Sequence, residues 1–212
     1  MTTSLWRRVA ALCAIAAGGL GLVSCGSVTR EGRSPAFVVI DQLTGTSGAD
    51  PGQTGFTLQS DVVTFVEQTF NGEQIRVPTY FEDSGSAIMY MLLKDNSDPT
   101  NAAVPSTANR MKINRYRVVY RRADGRNTPG VDVPYPFDGA ITATITQSTS
   151  SVNFTLVRLQ AKLEAPLSAL AGRLNAISTI ADVTFYGEDL AGNAFQVTGS
   201  ISVTFADFGD PD

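Results

Sequence analysis

The chain has 212 residues, a formal net charge of −4 and 43% hydrophobic residues, with two cysteines and no histidine. The missing histidine removes the commonest general base and the commonest zinc ligand together. The acidic balance gives no reason to expect a nucleic acid partner.

The first 24 residues have the layout of a secretory signal peptide. Arg7 and Arg8 precede an apolar run over residues 9–23, which glycines interrupt. The run is shorter than the about 20 residues that a membrane-spanning helix needs, so a cleaved leader is expected at residues 1–24. Its removal leaves 14 cations against 20 acids, and the net charge moves from −4 to −6.

The apolar run ends in the tetrapeptide Leu-Val-Ser-Cys at residues 22–25, followed by Gly26 and Ser27. This segment resembles the lipobox of bacterial lipoproteins. The resemblance implies that Cys25 receives a diacylglycerol and becomes the first residue of the mature chain, which is lipid-anchored in the cell envelope. Because no Asp follows Cys25, it implies the outer membrane where the organism has one, and otherwise the outer face of the cytoplasmic membrane. The alternative is an ordinary secretory leader with a chance cysteine.

The mature chain is expected to fold as one domain without a disulfide. Cys13 lies in the leader and Cys25 is the predicted lipidation site, so no cysteine pair is left. A small polar segment at residues 25–35 predicts a tether. A chain of this size buries about 70% of its unfolded surface, which is enough for one hydrophobic core. The folded domain is expected at residues 36–208, followed by an acidic tail at 209–212.

Strands are predicted where apolar residues alternate with polar ones or form short runs. The predicted strands cover residues 37–40, 62–66, 86–93, 112–122, 141–145, 152–163, 181–185 and 195–205. Residues 86–93 are apolar on both alternating faces, which is typical of a central, covered strand. A slip of the apolar phase at Leu156 and Val157 predicts a β-bulge.

One short amphipathic helix is predicted over residues 166–177, where Leu167, Leu170, Leu174 and Ile177 recur at helical spacing after a proline. Otherwise the short strands and turn-rich loops favour an all-β fold of two packed antiparallel sheets.

The turn Asp-Leu-Ala-Gly-Asn at residues 189–193, with the alternating strand after it, resembles the last hairpin of bacterial immunoglobulin-like and fibronectin type III-like modules. The resemblance implies an antiparallel immunoglobulin-like β-sandwich of seven to nine strands. A jelly roll is the alternative.

An arginine-rich strand is the most suggestive candidate binding feature. Arg115, Arg117 and Arg121 are expected on one face, with Tyr116 and Tyr120 on the other. Guanidinium groups bind phosphate or carboxylate oxygens bidentately, so the three arginines are a candidate anion-binding or partner-binding site. The alternative is a solvated outer face that acids on neighbouring strands neutralise.

The remaining candidate chemistry rests on carboxylates. The tetrapeptide Asp-Ser-Gly-Ser at residues 83–86 matches the signature of aspartic proteases, but it occurs once and is also an ordinary turn composition. Carboxylate-pair hydrolysis requires two acids that meet in space, and the candidates are Glu82, Asp83, Glu188 and Asp189. The acids at 207, 210 and 212 offer oxygens for calcium but lack the spacing of an EF-hand loop.

No catalytic residue, metal site or cofactor is predicted, and the leading hypothesis is a non-enzymatic envelope lipoprotein. Its partners are expected to be the lipid bilayer, through acylated Cys25, and an envelope protein or glycan. The alternatives are a carboxylate-dependent hydrolase and a carrier of an anionic or lipid ligand. An enzyme needs a cleft with two facing acids, and a carrier needs a deep apolar pocket.

Overall fold

The structure is a computed structural model that describes residues 34–94 and 109–209. The predicted signal peptide, Cys25, most of the tether, and Asp210 and Asp212 lie outside the described residues. Within the described ranges, no helix is both long enough and apolar enough to cross a membrane.

The described residues form eleven strands and very little helix. The strands are β1 (Ala36–Thr46), β2 (Thr54–Gly55), β3 (Thr57–Asp61), β4 (Thr64–Phe70), β5 (Glu73–Thr79), β6 (Asp83–Leu93), β7 (Met111–Arg121), β8 (Phe137–Ile145), β9 (Ser150–Val157), β10 (Ile177–Asp189) and β11 (Ala194–Ala206). The helical elements are α1 (Leu159–Leu163) and one 3₁₀ turn (Leu167–Leu170).

Nine of these strands form two sheets that pack face to face, which confirms the predicted all-β sandwich. The first sheet has the order β2-β1-β6-β9 and is antiparallel throughout. The second has the order β3-β11-β10-β7-β8 and is antiparallel except where β3 runs parallel to β11. Within the part of the chain that the structure describes, strands β4 and β5 pair only with each other.

The core lies between the two sheets because alternate residues of each strand point inward. Phe185 is fully buried, and its ring centroid lies 5.3 Å from that of Phe154. Tyr116 packs against the same Phe154 ring at 5.3 Å. These three rings come from β10, β9 and β7, so they join both sheets.

Several sequence predictions agree in detail with the strands. β6 lies between β1 and β9 and is therefore central, as the apolar segment 86–93 predicted. The bulge predicted at Leu156 is present, because the β6–β9 register jumps from Ser84–Thr155 to Asp83–Val157.

The chain between β9 and β10 differs from the prediction. The strand expected to reach residue 163 ends at Val157, and the five-residue helix α1 follows it. The helical segment expected over residues 166–177 is shorter, a single 3₁₀ turn at Leu167–Leu170. Gly172 follows with a φ of 70°, a left-handed conformation that ends helices, and Leu174 is fully exposed.

The sandwich has two ends, which we name by the course of β1. The proximal pole is the end where β1 begins, next to Ser34, whose hydroxyl donates to the sulfur of Met111. The distal pole is the end where β6 begins, at Asp83. An eleven-residue strand at about 3.3 Å per residue separates the poles by about 30 Å. α1 and the 3₁₀ turn lie at the distal pole because they link Val157 to Ile177.

Candidate functional site

A β-hairpin formed by β4 and β5, called the arm, projects from the distal pole. The chain enters it after Asp61, the last residue of β3, and leaves it toward Asp83, the first residue of β6. Thr64 is buried at its base, whereas residues 67–76 are all exposed. Because no other described strand pairs with the arm, its outer part gains little support from the core.

The tip of the arm is a two-residue turn. Asn71 has a φ of 52° and Gly72 a φ of 84°. Two successive residues with positive φ are characteristic of a type I′ turn, for which Asn-Gly is a favoured sequence. This hairpin was not among the elements predicted from the sequence, although an Asn-Gly pair between two strand-like segments is the signal for it.

One face of the arm is an exposed apolar stripe. The cross-strand pairs Val66–Val77 and Gln68–Ile75 lie on the same face as Phe70. Phe70 is 65% exposed and Ile75 is 42% exposed. Exposed apolar side chains that cluster in this way are typical of interaction surfaces.

The two edges of the arm differ in their hydrogen-bonding capacity. A two-residue turn makes Phe70–Glu73 the first hydrogen-bonded pair, so alternate residues direct their backbone N–H and C=O groups away from the hairpin. On β4 these residues include Glu67 and Thr69. On β5 they include Pro78, which has no N–H to donate. The edge of β4 is therefore the better template for another strand.

A buried polar cluster lies inside the distal pole, close to the base of the arm. Lys162 of α1 places its Nζ 3.0 Å from Oδ1 of Asp83, and both side chains are 0% exposed. The backbone N–H of Gly48 also donates to Oδ1, at 2.9 Å, and the hydroxyl of Ser60 donates to Oδ2, at 2.6 Å. Every polar atom of the Asp83 carboxylate thus has a partner.

Two more titratable groups flank this cluster. The hydroxyl of Tyr120 donates to the carbonyl of Leu156 at 2.6 Å, and burial together with the charge of Asp83 raises the pKa of Tyr120 well above its usual range. Burial also raises the pKa of Asp61, although Thr64 donates a hydrogen bond to its carboxylate at 2.6 Å. The distal pole therefore keeps several polar groups out of water.

The three candidate arginines lie together on the outer face of the second sheet. Arg115 and Arg117 form ion pairs with Asp138 at 3.0 and 2.6 Å. Arg121 forms an ion pair with Asp182 at 2.6 Å. Carboxylates on the neighbouring strands β8 and β10 thus offset part of their charge, and a binding role of the three arginines stays a prediction.

The candidate acids for carboxylate-pair hydrolysis are not brought together. Glu82 and Asp83 lie at the distal pole, whereas Glu188 and Asp189 lie at the proximal pole. Asp83 is enclosed by its partners, and Asp189 accepts hydrogen bonds from the backbone N–H groups of the turn at residues 191 and 193. No facing pair of accessible acids arises from these four residues.

The described chain also lacks a cluster of three or more acids, cysteines or histidines with the geometry of a metal site. Asp207, the candidate calcium ligand that is described, accepts a hydrogen bond from the backbone N–H of Gly172.

An open cleft of about 570 Å³ lies at the proximal pole, beside the start of β1. Its lining mixes aromatic rings with charged groups, among them Phe37, Phe195, Arg115 and Glu188. Its size lies within the range of ligand clefts. It includes Arg115 but neither Arg117 nor Arg121, so the arginine-rich strand does not converge on one pocket.

These features define an all-β sandwich with a projecting hairpin arm and a closed polar cluster at the arm's base. Comparison of the chain with protein-family models, with curated proteins and with solved structures found no match in any of the three.

Proposed function

We propose that the chain is a lipid-anchored envelope protein that acts as a non-enzymatic binding module and engages a partner protein through the arm. The observation that carries this proposal is the exposed apolar stripe of the arm, at Phe70 and Ile75, on a hairpin that pairs with no other described strand. The distance between Glu82–Asp83 and Glu188–Asp189 favours binding over carboxylate-pair hydrolysis.

The position of the arm suits an anchored protein. The predicted tether, residues 25–35, ends where β1 begins at the proximal pole, and the arm leaves the domain at the distal pole. With lipid on Cys25, the domain places about 30 Å of folded sandwich between the end of the tether and the base of the arm. In our proposal the arm is thus carried at the end of the domain opposite to the anchor.

The partner is expected to be an envelope protein that supplies an extended segment. Such a segment adds a strand to the edge of β4, where the backbone groups of Glu67 and Thr69 point outward. Its alternate side chains pack against Phe70 on the apolar face. A protein strand therefore fits both the strand edge and the apolar stripe better than a glycan does.

The anchor is tested by the Cys25→Ser variant of the full chain. Loss of the sulfur prevents lipid attachment, so the variant is expected to move from the membrane fraction to the soluble envelope fraction or to keep its leader. Fractionation with immunoblotting measures this. A variant that is processed normally and stays in the membrane fraction contradicts the anchor.

The arm is tested by placing a photo-crosslinking amino acid at Phe70 in cells, with Thr198 on the outer sheet face as the matched exposed position. One discrete protein adduct is expected from position 70 and none from position 198. The Thr69→Pro change removes an outward N–H from the edge of β4. It is expected to lower the adduct yield about tenfold or more, because losing a strand contact costs on the order of 1.4 kcal/mol.

The matched control is Gln74→Pro, which removes an outward N–H from the edge of β5. That edge already contains Pro78, so the adduct is expected to persist. Equal loss of the adduct in both proline variants, or equal adducts from positions 70 and 198, contradicts strand addition at β4.

A further inference from the structure

The buried pair formed by Lys162 and Asp83 has the arrangement of two groups that are ready to condense. Nζ of Lys162 lies 3.0 Å from Oδ1 of Asp83, which keeps the nitrogen beside the carboxyl carbon. Both side chains are completely excluded from solvent. The other ion pairs described all involve exposed or partly exposed side chains.

Hydrogen-bond donors polarise both oxygens of the Asp83 carboxyl group. Gly48 donates its backbone N–H to Oδ1 at 2.9 Å, and Ser60 donates its hydroxyl to Oδ2 at 2.6 Å. Fixed donors aimed at a carboxyl oxygen stabilise the negative charge that develops there during nucleophilic attack. Each oxygen of the Asp83 carboxyl group thus has a fixed hydrogen-bond donor besides Lys162.

The enclosed surroundings favour a neutral product over two charges. Holding an ammonium and a carboxylate away from water is costly even when they pair. Transfer of one proton within the pair gives an amine, which is a nucleophile, and a carboxylic acid, which is its electrophile. The exclusion of bulk water also removes the reagent that would hydrolyse an amide.

We propose that Lys162 and Asp83 form an intramolecular isopeptide bond that covalently links α1 to the start of β6.

The reaction balances without any further reactant. The first proton passes from Nζ to Oδ1, the oxygen that it contacts at 3.0 Å. The Nζ lone pair then forms a bond to Cγ of Asp83, and Oδ2 carries the negative charge of the tetrahedral intermediate beside the hydroxyl of Ser60. The bond from Cγ to Oδ1 breaks, and Oδ1 leaves as water with the first proton and a second proton from Nζ. One amine and one carboxylic acid give one amide and one water.

The link would close a long loop of the chain. Asp83 and Lys162 are 79 residues apart in sequence, and the only cysteines of the chain are Cys13 and Cys25. A covalent link between distant residues restricts the unfolded chain in the way that a disulfide does. It lies in the distal pole, below the arm, and it does not depend on the lipid anchor or on a partner.

The test is peptide mapping of the purified full chain by mass spectrometry after denaturation and trypsin digestion. An amide on Nζ prevents cleavage after Lys162. Residues 159–173 are then expected as one peptide, joined to residues 77–94, with a mass one water below the sum of the two. Separate peptides 77–94 and 159–162, with cleavage after Lys162, overturn the proposal.

The control variants are Lys162→Arg and Asp83→Ala, in which the branched peptide is expected to disappear. The wild-type map decides the question even where a variant fails to fold. Succinimide formation at Asp124–Gly125 or Asp138–Gly139 also releases one water, and the map separates it because that loss stays within a linear peptide. A water loss found only at those sites overturns the isopeptide bond.

Discussion

The Lys162→Met variant is expected to unfold with a free energy about 3–5 kcal/mol or more below that of the wild type, because it leaves the Asp83 carboxylate buried without a partner and removes the covalent link that the two residues form in our proposal. Methionine fills much of the space of the lysine stem but supplies no charge. Gly48 and Ser60 still donate hydrogen bonds to the carboxylate, but neither is a cation. Urea or guanidinium denaturation at neutral pH measures the change from the midpoint and slope.

The matched control is Arg121→Met, which breaks the ion pair with Asp182 on the outer face of the second sheet. That pair is shorter, 2.6 Å against 3.0 Å, but about half of the Arg121 side chain is exposed. Its loss is expected to cost much less than the loss of the buried pair, because solvent screens the exposed charges. Equal losses in Lys162→Met and Arg121→Met would show that burial of the Lys162–Asp83 pair contributes nothing special to stability.

A double variant separates the pair from its surroundings. Lys162→Met combined with Asp83→Leu removes both partners, so neither is left buried alone, and its cost in unfolding free energy is expected to be smaller than the sum of the two single costs. Some loss remains because Ser60 and Gly48 lose the acceptor that they share.

The sandwich was predictable from the sequence because most of its strands bury one face. Tyr116, Val118 and Tyr120 alternate with Arg115, Arg117 and Arg121, and only one of the two sets is compatible with the core. In β6 both alternating sets are apolar, which fits its central place in the sheet. Pattern and burial agree in these segments, so the period of the pattern was enough to predict that they are strands.

Where local pattern and tertiary contacts diverge, the sequence was less informative. The segment from Leu156 to Leu163 is short and mixes apolar with polar residues, so its pattern fits a strand or a helix equally well. The structure ends β9 at Val157 and buries Lys162 in α1. That lysine shows no local sign of burial, because its partner Asp83 is 79 residues away.

The arm was missed for a different physical reason. Its outer residues face solvent on both sides, so alternation of polar and apolar residues carries no information about a core. Only the turn chemistry of Asn71 and Gly72 marks it. The outer placement of the arginines on β7 was predictable, whereas their pairing with Asp138 and Asp182 depends on strand order, which local patterns do not specify.

Packing explains the glycine of the Asp-Ser-Gly-Ser segment, which resembles a protease signature. Gly85 of β6 lies directly opposite Phe154 of β9, and a Cβ at Gly85 would collide with the Phe154 ring. An aromatic ring that covers a cross-strand glycine in this way stabilises a sheet. The glycine is therefore required by the core, whatever chemistry its neighbour Asp83 performs.

Gly85→Ala is accordingly expected to lower the free energy of unfolding by about 1–3 kcal/mol, because the Phe154 ring is packed between Tyr116 and Phe185 and cannot move away freely. The matched control is Gly55→Ala in β2, where a new Cβ makes only ordinary contacts with Thr57, and no loss from overpacking is expected there. Denaturant unfolding compares the two variants.

If overpacking is the cause, adding Phe154→Leu to Gly85→Ala costs less than Phe154→Leu costs in the wild type, since the smaller side chain gives the new methyl group room. Additive losses would instead assign the effect of Gly85 to the backbone of β6.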